Sequence, residues 1–87
     1  MLNAQILAEF FGTFILVLAI LVSGNPLYIA AGFLAAITIS GGGHLNPAVS
    51  LAMLSKGELT PMKTGQYVVA QIGGAFAALA VAKLMKK

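Results

Sequence analysis

The side chains able to do chemistry are few in this sequence, and most of them fall in one stretch, TISGGGHLNPAVS, residues 38–50. It offers one histidine, one asparagine, two serines and a threonine. Elsewhere there are two carboxylates, Glu9 and Glu58, and no cysteine. No nucleophile–base–acid set can be assembled from these, so an enzyme is not expected. One histidine without cysteine holds no metal, and no cofactor is implied. What remains is hydrogen-bond and backbone chemistry. Three consecutive glycines, Gly41, Gly42 and Gly43, allow tight turns with bare carbonyls that replace part of a permeant's hydration shell. Asn46 is a helix cap whose oxygen takes a backbone N–H while its NH₂ stays free to donate. Pro47 removes the first orphan N–H of the helix that follows. An ordinary interhelical loop is the competing reading, because glycine loops and Asn-Pro caps are common.

The surrounding elements are apolar. The chain has 87 residues, 60% hydrophobic and 8% charged, against about 25% charged in soluble domains. Lipid is therefore the expected solvent, with a large-interface soluble oligomer as the alternative. The lysines, at 56, 63, 83, 86 and 87, sit at the ends of apolar runs, which suits headgroup contact and not nucleic acid. A secretory signal is disfavoured: the start has no basic region, and Glu9 interrupts its apolar run. Hydropathy predicts spans at about 2–22, 26–40 and 61–84, separated by Ser-Gly-Asn-Pro and Glu-Leu-Thr-Pro turns. The second is short, about 22 Å if helical. Between the second and third lies a re-entrant loop and half-helix at about 41–56, capped by Asn46 and closed by Lys56-Gly57. The fold class is thus an all-α membrane protein of three transmembrane helices plus one re-entrant half-helix. The whole of 1–87 is a single unit in an integral, multi-pass protein.

Irregular backbone survives at membrane depth only where it lines a wet cavity or is buried in protein. A half-helix starting near the midplane also brings roughly half a positive charge there, which disfavours cations and protons. Gln5, Glu9 and Thr13 share one face of the first span, and an intramembrane carboxylate marks a functional or buried-partner position. His44 is read as a fixed hydrogen-bonding group ahead of a titrating one, and Gln71 as a bond across a helix interface. Small-residue stripes such as Ala70, Gly74, Ala78 and Ala82 predict close helix packing.

Three motifs resemble those of the aquaporins, the major intrinsic protein family. SGGGHLNPAVSLA resembles its SGGHxNPAVxxA signature, AEFFGTF (8–14) its first-helix AEFxGTF, and QYVVAQIGGA (66–75) its third-helix YxxAQxxGA. They occur in family order over almost the whole chain. The resemblance implies a passive channel for water and small neutral solutes. It matches Asn46, Pro47 and Ala48 to the pore-centre tip, and the carbonyls of Gly42, Gly43, His44 and Leu45 to the pore-lining loop. Glu9 matches the glutamate that holds that loop.

The resemblance covers the first half of the family's fold only. A second Asn-Pro-Ala and the filter arginine are absent, the glycine run is longer, and the filter aromatic is unassigned between Tyr28 and Phe33. The expectation is an antiparallel homodimer that rebuilds a six-span pore in the bilayer and passes water with loosened selectivity, glycerol included. Near-balanced lysines, two on one side and three on the other, permit dual topology. The alternative is a non-conducting membrane interaction protein, or a half-channel completed by a separate chain.

Overall fold

A computed structural model describes residues 3–41 and 43–85, so Gly42 and the terminal pairs lie outside it. The described residues form four helices: α1 Ala4–Ser23, α2 Pro26–Ile39, α3 Pro47–Lys56 and α4 Pro61–Met85. Each begins on local chemistry. Asn3 Oδ1 accepts from Ile6 N, Asn25 Oδ1 from Leu27 N, Asn46 Oδ1 from Ala48 N, and Thr60 Oγ1 from Lys63 N. Prolines at 26, 47 and 61 occupy the first helical positions, where no N–H is needed. α3 ends where Gly57 adopts φ 87°. Gly57 N donates to Leu54 O and Glu58 N to Met53 O, a Schellman closure.

α1 and α4 are long and apolar enough to cross a membrane; α2, with 14 residues, is not. They run parallel. Ile6 packs on Tyr67 and Ala70, and Phe10 lies against Gly73 and Gly74. A Cβ on Gly74 would collide with the Phe10 carbonyl oxygen, so this approach requires glycine. Ala70, Ala78 and Ala82 continue the buried stripe along α4. α2 packs antiparallel on α1, with Gly32 against Ala19 and Ala36 and Ser40 against Gly12. Large apolar side chains point outward, Leu27, Leu34 and Val69 at 73%, 68% and 71% exposure, as a lipid-solvated surface requires.

The second predicted span therefore stops early. Its last helical residue, Ile39, precedes Ser40, which faces Gly12, about 12 Å along α1 from its start. The chain turns at Gly41 (φ 70°) and α3 runs back toward the side where α1 begins. Leu45 lies at Gly12, Ser50 at Gln71, and Leu59 reaches the Ile6–Tyr67 cluster. The N-terminal tip of α3 thus sits near the middle of α1.

The Glu9-anchored tip of the re-entrant half-helix

Glu9, on α1, is 2% exposed and accepts three N–H bonds. His44 N donates to Oε2, and Leu45 N and Gln71 Nε2 donate to Oε1, each at 2.8 Å. All three partners are uncharged, and the described lysines are exposed. Every hydrogen bond that the described residues give the carboxylate is donated by an N–H group. The network extends through Gln71, 1% exposed on α4. Its Nε2 also donates to Ser50 Oγ at 2.9 Å. Ser50, fully buried on α3, lies 3.0 Å from His44 Nδ1, so hydroxyl and ring hold each other whichever carries the proton. The His44 ring rests against Tyr67, with centroids 5.1 Å apart. Gln71 Oε1 and Thr13 Oγ1 are buried without a hydrogen-bond partner among the described residues.

This bracing sets the loop's polarity. A trans peptide points its N–H and C=O in opposite directions. With the His44 and Leu45 N–H groups turned to Glu9, the carbonyls of Gly43 and His44 point away from it. Leu45 holds φ 60°, the left-handed region, at a cost of about 1–2 kcal/mol for a residue with a Cβ. Its N–H bond to Glu9 and its 2% exposed side chain, seated on Gly12, offset that cost. A Cβ on Gly43 would come within 2.7 Å of Glu9 Oε2, so this glycine is what lets the carboxylate approach the loop.

The tip itself faces outward. Asn46 is exposed, with Oδ1 committed to Ala48 N at 2.7 Å and no partner for its NH₂ among the described residues. Ala48 is exposed and Pro47 half-buried. Gly43 and His44 are half-buried, Leu45 is buried, and Gly42 lies outside the described residues. Tyr28 and Phe33, the two filter candidates, are exposed on α2 and make none of the hydrogen bonds of this network among the described residues. Thr13 shares Glu9's buried face, but Gln5 is exposed. Ser50 and Tyr67 carried no expectation from sequence. Ser50's only signal is a hydroxyl one turn after Asn46 in a half-helix that is otherwise apolar up to Leu54. No group of three or more metal-ligating side chains occurs among the described residues.

Two helices long and apolar enough to cross a membrane, a short third and a capped half-helix that starts near the middle of α1 fit the class of polytopic membrane proteins with a re-entrant segment. The model of the major intrinsic protein family matches residues 22–87. A glycerol uptake facilitator protein-like 6 of Lactiplantibacillus plantarum is 40% identical over 89 residues, covering 88% of this chain and 41% of that protein. Aquaglyceroporin AqpS of Rhizobium meliloti is 36% identical, over 97% of this chain and 44% of its own length. Aquaporin Z of Brucella melitensis is 41% identical, over 93% and 43%. No significant match was found among solved structures. The chain belongs to the major intrinsic protein family and is an integral membrane protein. Members of that family are passive channels and not enzymes. The chain spans less than half the length of these relatives.

Proposed function

We propose that this chain supplies one half of a passive transmembrane pore for water and small neutral solutes, completed by a second half-unit inserted in the opposite sense. The observation that carries the reading is the contrast at α3. The loop that leads into it is held by Glu9 and its first turn by Gln71 through Ser50, while the capping Asn46 presents an exposed amide at mid-depth. Lipid offers that amide no partner, and an unpaired polar group in hydrocarbon costs several kcal/mol. A second tip meeting it head-on would enclose a narrow polar passage. Each Asn46 NH₂ would then donate to a passing oxygen. The Gly43 and His44 carbonyls, turned away from Glu9, would accept from it, and the two opposed half-helix dipoles would repel protons and cations. Gly42, Leu45, Pro47 and Ala48 complete this lining in the proposal, and Glu9 is its support.

A second copy of this chain is the simplest partner, because near-balanced lysines permit both orientations. Two identical halves contain no arginine, so selectivity is expected to extend to glycerol-sized solutes. Relatives named for glycerol uptake and aquaglyceroporin activity support that class. Osmotic swelling of liposomes holding the purified chain tests the reading. Fast, proton-tight water and glycerol flux is expected. Flux no faster than empty liposomes overturns the self-paired pore. Flux that appears only with a co-purified second protein assigns the other half to that protein. In Asn46→Asp liposomes the barrier weakens, and a proton leak at least about tenfold above wild type is expected.

A further inference from the structure

A groove of about 810 Å³ opens between the first halves of α1 and α4, and described residues of these two helices alone line it. Leu7 and Phe11 form one wall and Met62 and Val69 the other, all of them exposed. Buried Ile6 and Ala70 lie beneath. Gly65 keeps the groove open, since a Cβ there would meet nothing within 4 Å. None of these residues takes part in the hydrogen bonds of the Glu9 network or in the proposed pore lining.

The groove has the length of one leaflet. Its α4 wall runs from Pro61 to Gly73, about 18 Å at about 1.5 Å per residue. α4, with 25 residues, is about 37 Å long against a hydrocarbon core of about 30 Å, so a few ångströms at each end stand in the headgroup region. About 15 Å of groove is left in hydrocarbon, half of its thickness. A membrane-spanning helix of another protein would need the full depth, whereas an acyl chain needs only its own leaflet. Polarity is graded along the same axis. Gln66 carries the only polar side chain in the lining, about 8 Å from the start of α4 and so just inside the hydrocarbon boundary. An amide without a partner is costly there, and a lipid ester carbonyl at that level can accept from it. Exposed Lys63 lies one turn nearer the surface, and Lys56 ends α3 on the same side, against one acidic residue, Glu58. The balance at the mouth is positive, which favours an anionic headgroup.

We propose that the groove between the first halves of α1 and α4 seats an acyl chain of one anionic phospholipid, with the Gln66 amide donating to its ester carbonyl and Lys63 facing its headgroup. The seat is separate from the Asn46 tip, does not depend on how the pore is completed, and is read without any flux.

Native mass spectrometry of the full chain, released from detergent micelles that hold phosphatidylglycerol or phosphatidylcholine with the same acyl chains, counts the bound lipid and gives its affinity. One phosphatidylglycerol per chain should bind about fivefold more tightly than phosphatidylcholine, the effect of one lysine near a surface. Lys63→Gln should abolish that preference. Gly65→Leu, which fills the groove, should weaken both lipids about tenfold, and Gln66→Leu, which removes the amide, about fivefold. Equal affinity for the two headgroups overturns the seat, as does binding without a saturable first lipid. Unchanged affinity in folded Gly65→Leu overturns it as well. A wild-type dimer that takes up no lipid, with Gly65→Leu monomeric, would give the groove to a second copy and overturn the lipid. If Gly65→Leu does not fold, Lys63→Gln and Gln66→Leu decide.

Discussion

At the scale of residues, Glu9 ties three segments of the chain together. It sits on α1 and holds the loop at His44 and Leu45 and α4 at Gln71. Glu9→Gln would replace one acceptor oxygen by a donor and set it against the His44 or the Leu45 N–H, for which the described residues offer no other acceptor. The expected cost is about 3 kcal/mol, since bonds to charged groups and buried unsatisfied donors each count for one to three. It should be read as a lower thermal midpoint in nanodiscs and faster proteolysis at residues 41–46. Glu9→Asp keeps the charge on a shorter arm and should fall between. A wild-type midpoint for Glu9→Gln would show that the loop is held by other contacts. Ser50→Ala removes the second acceptor of Gln71 Nε2 and should cost about 1–2 kcal/mol. Glu9 was legible in the sequence because a carboxylate inside an apolar span is expensive without a task. Ser50 was not, because a small hydroxyl in a short helix leaves no periodic trace; only the fold brings it to Gln71, 21 positions away.

At the scale of elements, the helix starts could be read from the chain because each is local. Asn25-Pro26, Asn46-Pro47 and Thr60-Pro61 pair a capping side chain with a first-turn proline. The early end of α2 was visible only as a shortage of residues. Its consequence, that the chain turns back at the level of Gly12, depends on antiparallel register and so appears only in three dimensions. Glycines divide in the same way. Gly74 and Gly65 lie on α4 and look alike in sequence, yet a Cβ at 74 meets the Phe10 backbone while one at 65 meets nothing within 4 Å. Gly74→Ala should force α1 and α4 apart and cost about 1–3 kcal/mol, as overpacking does. Gly65→Ala should be neutral or stabilise by about 0.5–1 kcal/mol through backbone entropy. Thermal midpoints of the two variants in nanodiscs give the comparison. Equal effects would mean that α1 and α4 do not approach as closely as described.

At the scale of the whole molecule, the parallel course of α1 and α4 fixes which lysines share a side. Both helices begin on the side to which α3 returns, so Lys56 and Lys63 lie there, while Lys83 is in the last turn of α4 and Lys86 and Lys87 come next in the sequence. Orientation follows lysine and arginine near span ends and is little affected by acidic residues. Replacing Lys83, Lys86 and Lys87 by glutamine therefore leaves cationic residues on one side only, and replacing Lys56 and Lys63 leaves them on the other. Each variant keeps every residue of the Glu9 network and should fold, but each should insert in one sense. If the pore is made by two copies in opposite senses, vesicles from cells expressing either variant alone should swell no faster than controls. Co-expression should restore most of the wild-type rate, because the two populations supply both orientations. This complementation separates self-pairing from the alternatives. A pore completed by a different protein would survive in the variant that keeps the natural orientation. A chain that conducts nothing would be rescued by neither pairing. Full swelling with each variant alone, with reporters on both termini showing a single orientation, would overturn the inverted dimer while leaving the anchored half-helix intact.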